Sequence, residues 1–108
     1  MTKITFYENS NGDICGFESK GHAGMGVRGT DVVCASVSIL IINTINSIEE
    51  FTHDKYYEDV NDKRATIKFE IAGSISAETR LLFKSLKRGL TEIADNYPGN
   101  VSIKYKEV

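Results

Sequence analysis

The chain has no tryptophan, one proline (Pro98), two cysteines (Cys15 and Cys34) and two histidines (His22 and His53). Each scarcity excludes something. Two cysteines and two scattered histidines fall short of the roughly four clustered ligands that structural zinc takes, so no metal and no cofactor is expected. Two cysteines do not make a disulfide scaffold either, and they read as the reduced thiols of a cytoplasmic protein. Neither sign of charge dominates. Thirteen Lys and Arg against fifteen Asp and Glu leave a formal net charge of −2, which argues against nucleic acid held by global charge. Long hydrophobic runs are also missing. The longest lies near Val32 to Ile42 and is interrupted by Ser36 and Ser38, so no transmembrane helix is expected, since one needs about 18 apolar residues in succession. The opening Met1-Thr2-Lys3-Ile4-Thr5-Phe6 lacks the apolar region of a signal peptide. The 108 residues read as one domain, residues 1–108, with enough chain to bury a core unaided.

Ile4 and Phe6 alternate with polar neighbours, as in a strand, and Asn11-Gly12 signals a hairpin turn into a second strand over residues 13–20. A loop with four glycines occupies residues 21–29. Thr30 and Asp31 are N-cap residues, and a helix of about five turns is expected from there to about residue 51. Apolar residues nearly surround its first half. One sheet covers one face of a helix, so the remaining face is expected to meet a second subunit. A second hairpin is read over residues 55–60 and 64–71. Ser76 caps a second helix running to about residue 96, with Ala77, Leu81, Leu82, Leu86, Leu90, Ile93 and Tyr97 on its inner side. Pro98-Gly99 ends it, and Val101, Ile103 and Tyr105 form a last strand. The order β-β-α-β-β-α-β predicts an α+β fold, a small mostly antiparallel sheet carrying two helices.

The residues that carry chemistry gather around the glycine loop. His22 leaves a strand and Cys34 follows twelve residues later. With Asp31 as N-cap, Cys34 is the third helical residue. There a thiolate meets the positive end of the helix dipole and unpaired backbone N–H groups. His22 supplies an ion-pair partner and a general base and acid. The plainer alternative is a small buried hydrophobe. Asp31 reads first as a cap and second as a group that orients His22. Ser38, one helical turn past Cys34, either bonds the imidazole or turns back on the Cys34 carbonyl. The run Gly24-Met25-Gly26-Val27-Arg28-Gly29 matches a dinucleotide-binding fingerprint. An antiparallel hairpin before it, a small domain and an acidic cap after it oppose that reading. Gly24, Met25, Gly26, Val27 and Gly29 are read instead as a loop that closes over a peptide. Cys15 is expected in the core. Arg80, Lys84, Lys87 and Arg88 form a basic helix stripe, read as a solvated face.

Gly21-His22-Ala23-Gly24 and Gly29-Thr30-Asp31-Val32-Val33-Cys34-Ala35-Ser36-Val37-Ser38 together resemble the ribosomal-processing cysteine proteases of bacteria, the Prp family. The resemblance implies that His22 and Cys34 are the catalytic pair, with Asp31 and Ser38 in supporting roles, in a single cysteine protease domain. It implies removal of a short N-terminal extension from the large-subunit ribosomal protein L-twenty-seven, hence a part in ribosome biogenesis, and a homodimer with a flexible loop over the site. Met25-Gly26 and Ala35-Ser36 depart from the family's usual residues and bear on substrate preference. The alternative is a non-catalytic ribosome- or RNA-associated binding module; no direct nucleic-acid contact is expected of the protease.

Overall fold

A computed structural model of the chain describes residues 1–21 and 30–108, with Thr30 and Asp31 described by backbone alone. The elements are β1 (Thr2–Glu8), β2 (Ile14–Lys20), α1 (Thr30–Phe51), β3 (Tyr56–Asn61), β4 (Thr66–Ile71), α2 (Ala77–Asn96) and β5 (Val101–Glu107). This is the order expected from the sequence. The strands form one sheet in the order β3-β4-β2-β1-β5. Its pairs are antiparallel except for β1 and β5, which run parallel with Thr2 opposite Val101. That exception follows from connectivity: a parallel pair needs a long crossover, and here the chain between β4 and β5 is helix α2.

Local chemistry explains the turns. The Asn9 side-chain oxygen accepts from the N–H groups of Asn11 and Asp13 at 2.9 and 3.0 Å, which folds the first hairpin. Ser76 caps α2 by accepting from the Thr79 N–H at 3.2 Å. Asp54 holds that cap from outside, accepting from the Ser76 N–H at 3.0 Å and its hydroxyl at 2.9 Å.

Both helices cover one face of the sheet. Ile4, Phe6, Phe17 and Phe69 from the strands join Val33, Val37, Ile41 and Ile48 of α1 and Phe83, Leu86 and Leu90 of α2 in one buried cluster. The opposite face carries Lys3, Thr5, Glu18, Lys68 and Glu70. Phe83 meets Phe17 edge-on at 6.3 Å between ring centroids and Phe69 at 6.2 Å, geometries that suit the ring quadrupoles. By length and composition alone α1 could cross a membrane; in this fold its apolar inner line packs into the cluster. Its outer side leaves Val32, Ile39 and Ile42 exposed.

Four local expectations are corrected. Helix α1 already includes Thr30, so Asp31 is its second residue rather than its cap and Cys34 its fifth rather than its third. An acidic residue at such a position suits the positive end of the helix dipole. Strand β4 starts at Thr66, because Ala65 turns into the left-handed region at φ 51° and closes the hairpin instead. Leu81 on α2 and Tyr97 just past its end are exposed, and the buried line runs through Thr79, Phe83, Leu86 and Leu90. The aromatic contacts of Phe83 fix that rotation. Cys15 lies outside the core cluster. It sits where the register between β1 and β2 slips, and its thiol donates to the Tyr7 carbonyl at 3.5 Å.

Candidate functional site

Cys34 is half-buried and packs against the core from α1. It lines a cavity of about 180 Å³ between the helix and the end of the sheet. The helix contributes Val37, Ser38 and Ile41 to that cavity, one and two turns after Cys34. The sheet contributes Thr2 of β1, Ser19 of β2 and Ile67 of β4. Val60, Asn61 and Asp62 close it from the end of β3 and the turn that follows. The lining thus mixes aliphatic and polar side chains, the usual composition of a site that must both grip and orient a ligand. Side chains on a helix lean toward its N-terminus, so a thiol at the fifth position still stands over the first turn.

Gly21 lines the same cavity. Its φ of 86° lies in the left-handed region, and a Cβ there would stand 2.6 Å from the Met1 carbonyl oxygen. Its N–H donates to the Ala65 carbonyl at 2.9 Å. The chain therefore leaves β2 pinned between the N-terminus and the β3–β4 turn, beside Cys34. Only glycine satisfies both the dihedral and the close approach.

Of the residues read from the sequence, the structure brings Cys34 and Ser38 to one cavity. His22 and the loop residues Gly24, Met25, Gly26, Val27 and Gly29 lie outside the described residues, as does the Asp31 side chain. Sequence reasoning missed Thr2, Ser19, Val60, Asn61 and Asp62 as cavity walls. No motif marks them; only the strand order carries them to α1. The two cysteines differ in setting although both are free thiols. Burial, then the Glu70 carboxylate, pushes the Cys15 thiol up from its ordinary value, which keeps it protonated and slow to react. A larger open groove of about 560 Å³ runs along α2 past Lys84, Lys87, Arg88, Glu92 and Asp95. Its lining is basic at Lys84, Lys87 and Arg88, acidic at Glu92 and Asp95, and holds no cysteine or histidine, so it is read as a solvated helix surface.

A thiol beside the start of a helix, in a cavity lined by both aliphatic and polar side chains, is the equipment of a cysteine hydrolase. The comparisons name the kind. The profile of the cysteine protease Prp family matches residues 1–102, and the chain belongs to that family. It is a cysteine endopeptidase. The ribosomal processing cysteine protease Prp of Staphylococcus aureus is 24% identical over 106 residues, covering 98% of this chain and all of that one. The protein of the same name from Bacillus subtilis is 25% identical over 107 residues, covering 95% of this chain and 96% of its own length. The crystal structure of the S. aureus protease in complex with a substrate peptide superposes with a TM-score of 0.90 at 23% identity, over 98% of this chain and 100% of that one.

Proposed function

We propose that this chain is a cytoplasmic processing protease that removes the N-terminal extension of the ribosomal protein L-twenty-seven precursor, with Cys34 as nucleophile and His22 as general base and acid. The observation that carries the proposal is the placement of Cys34 in the cavity between α1 and the sheet, in a chain of this family. The Cys34 thiol gives its proton to His22, and the sulfur attacks the scissile carbonyl carbon. Backbone N–H groups near the helix start stabilise the oxyanion. As the tetrahedral intermediate collapses, the C–N bond breaks and His22 returns the proton to the leaving amine. Water, deprotonated by His22, then attacks the thioester. That releases the acid product and restores the thiol.

Ser38 shares the Cys34 cavity and supports the pair from there. Asp31, within the first helical turn, is assigned to orienting His22. The loop residues Gly24 to Gly29 fold over the bound peptide. The exposed apolar stripe Val32, Ile39 and Ile42 of α1 is the face through which the protein forms a homodimer, since an apolar helix side left in water is an interaction surface.

Incubation of the purified chain with full-length L-twenty-seven precursor, followed by mass measurement of the products, tests the assignment. One internal cleavage is expected, lost in Cys34→Ala and in His22→Ala. Cleavage at the normal rate in either variant refutes the mechanism.

A further inference from the structure

Among the described residues the sheet ends at β3, and β3 runs into the Cys34 cavity, where Val60, Asn61 and Asp62 form part of the wall. Its pairing with β4 is continuous from Tyr56↔Ile71 to Asn61↔Thr66. The Ala72 N–H donates to the Lys55 carbonyl, which sets the alternation of the ladder. Residues 57, 59 and 61 then bond to β4, and Tyr56, Glu58 and Val60 turn their N–H and C=O groups outward. Proteins that keep such an edge from pairing usually place Lys or Pro along it. Tyr56–Asn61 holds neither, and its charges, Glu58 and Asp59, are both acidic and exposed. Tyr57 and Val60 add exposed apolar side chains along the same edge, one on each face of the sheet.

Resting on the assignment of Cys34 above, we propose that the peptide substrate binds as an added strand along β3, its backbone bonded to Tyr56, Glu58 and Val60, and enters the cavity at the Val60–Asp62 end. From Tyr56 to Val60 the strand spans about 13 Å, which holds four or five substrate residues on one side of the scissile bond. Backbone bonds secure an extended segment whatever its side chains, and alternate side chains confer preference. Glu58, Asp59 and Asp62 make that preference one for Lys or Arg in the added segment.

The test uses the full chain and a synthetic peptide spanning the L-twenty-seven extension and the residues after it, with one backbone N-methyl group moved along the peptide. Strand addition predicts alternation: every second N-methyl position raises KM by about tenfold, the loss of one strand hydrogen bond, and the positions between change it little. Glu58→Pro removes an outward N–H without touching the β4 ladder. It is expected to raise KM by a similar factor, with kcat and melting temperature held. Uniform tolerance of N-methylation, with cleavage still abolished by Cys34→Ala, overturns strand addition and leaves the catalytic assignment standing. Cleavage that persists in Cys34→Ala overturns both. Loss of self-association in Glu58→Pro at unchanged KM assigns the edge to a second copy of the chain and also overturns the proposal. The N-methyl series on the unaltered protein keeps the question decidable if Glu58→Pro does not fold.

Discussion

Replacing Gly21 by alanine should damage the fold more than the same change at Gly12, and the difference measures how tightly the cavity's entrance is pinned. Both glycines have positive φ, 78° at Gly12 and 86° at Gly21. Alanine in that region costs about 1–2 kcal/mol at either position. At Gly12 nothing lies within 4 Å of the added Cβ, so the cost stops there. At Gly21 the Cβ meets the Met1 carbonyl oxygen at 2.6 Å. That oxygen has little room to move, because the Thr2 N–H is bonded to the Asn100 carbonyl at 2.8 Å. Overpacking of this kind adds roughly 1–3 kcal/mol. With about 4–8 °C of melting temperature per kcal/mol in a domain of this size, Gly12→Ala should melt several degrees below the parent and Gly21→Ala about twice as far below. Circular dichroism melts of the three proteins decide it. Equal drops for the two variants would show that the N-terminal strand yields freely, and would refute the claim that Gly21 is fixed by contact as well as by dihedral.

Phe83→Ala should cost about 3–5 kcal/mol, since the ring is fully buried between Phe17 and Phe69; chemical denaturation checks it, and a loss under 1 kcal/mol would contradict the packing described. Leu81→Ala on the exposed side of α2 should change stability by less than about 0.5 kcal/mol in the same assay. Glu70→Gln should move the alkylation profile of Cys15 to lower pH, because burial and then the Glu70 charge hold that thiol up; peptide mapping after iodoacetamide treatment across pH reads the shift. At Asp54, burial pushes the carboxyl up, but hydrogen bonds from Thr79 and Ser76 and the Arg80 charge outweigh it and leave it below its ordinary value. Its stabilisation is therefore present above the unfolded carboxylate range and lost as pH falls through the lower folded value. Asp54→Asn should flatten that acid limb of a stability-against-pH curve.

Much of the architecture was legible from periodicity and punctuation. Asn11-Gly12, Ser76 and Pro98-Gly99 mark ends because each does something local: a positive φ, a side-chain acceptor, a missing N–H. What depends on contacts distant in sequence was not legible. Leu81, Leu82 and Phe83 stand in a row, and helical spacing alone cannot choose which of them faces inward; the rings of Phe17 and Phe69 choose Phe83. Alternation marks Cys15 as a core residue, yet the slipped register between Tyr7 and Glu8 takes it out of the core. At the candidate site, Cys34 and Ser38 could be read from one helix face. Thr2, Ser19, Val60 and Asp62 could not, because they come from β1, β2 and the end of β3 with its turn, which only the order β3-β4-β2-β1-β5 brings to one end of the sheet.

The parallel pairing of β1 with β5 has a consequence in time. Thr2, a wall of the cavity, pairs with Val101 and donates its N–H to the Asn100 carbonyl. Its pairing on the other side begins only at Lys3↔Lys20. During synthesis, residues 100 and 101 leave the ribosome long after Cys34 does. Closing so long a loop is entropically expensive and comes late in folding. The thiol therefore waits, with one wall of its pocket unbuilt, until residues 100 and 101 have been made and have left the ribosome.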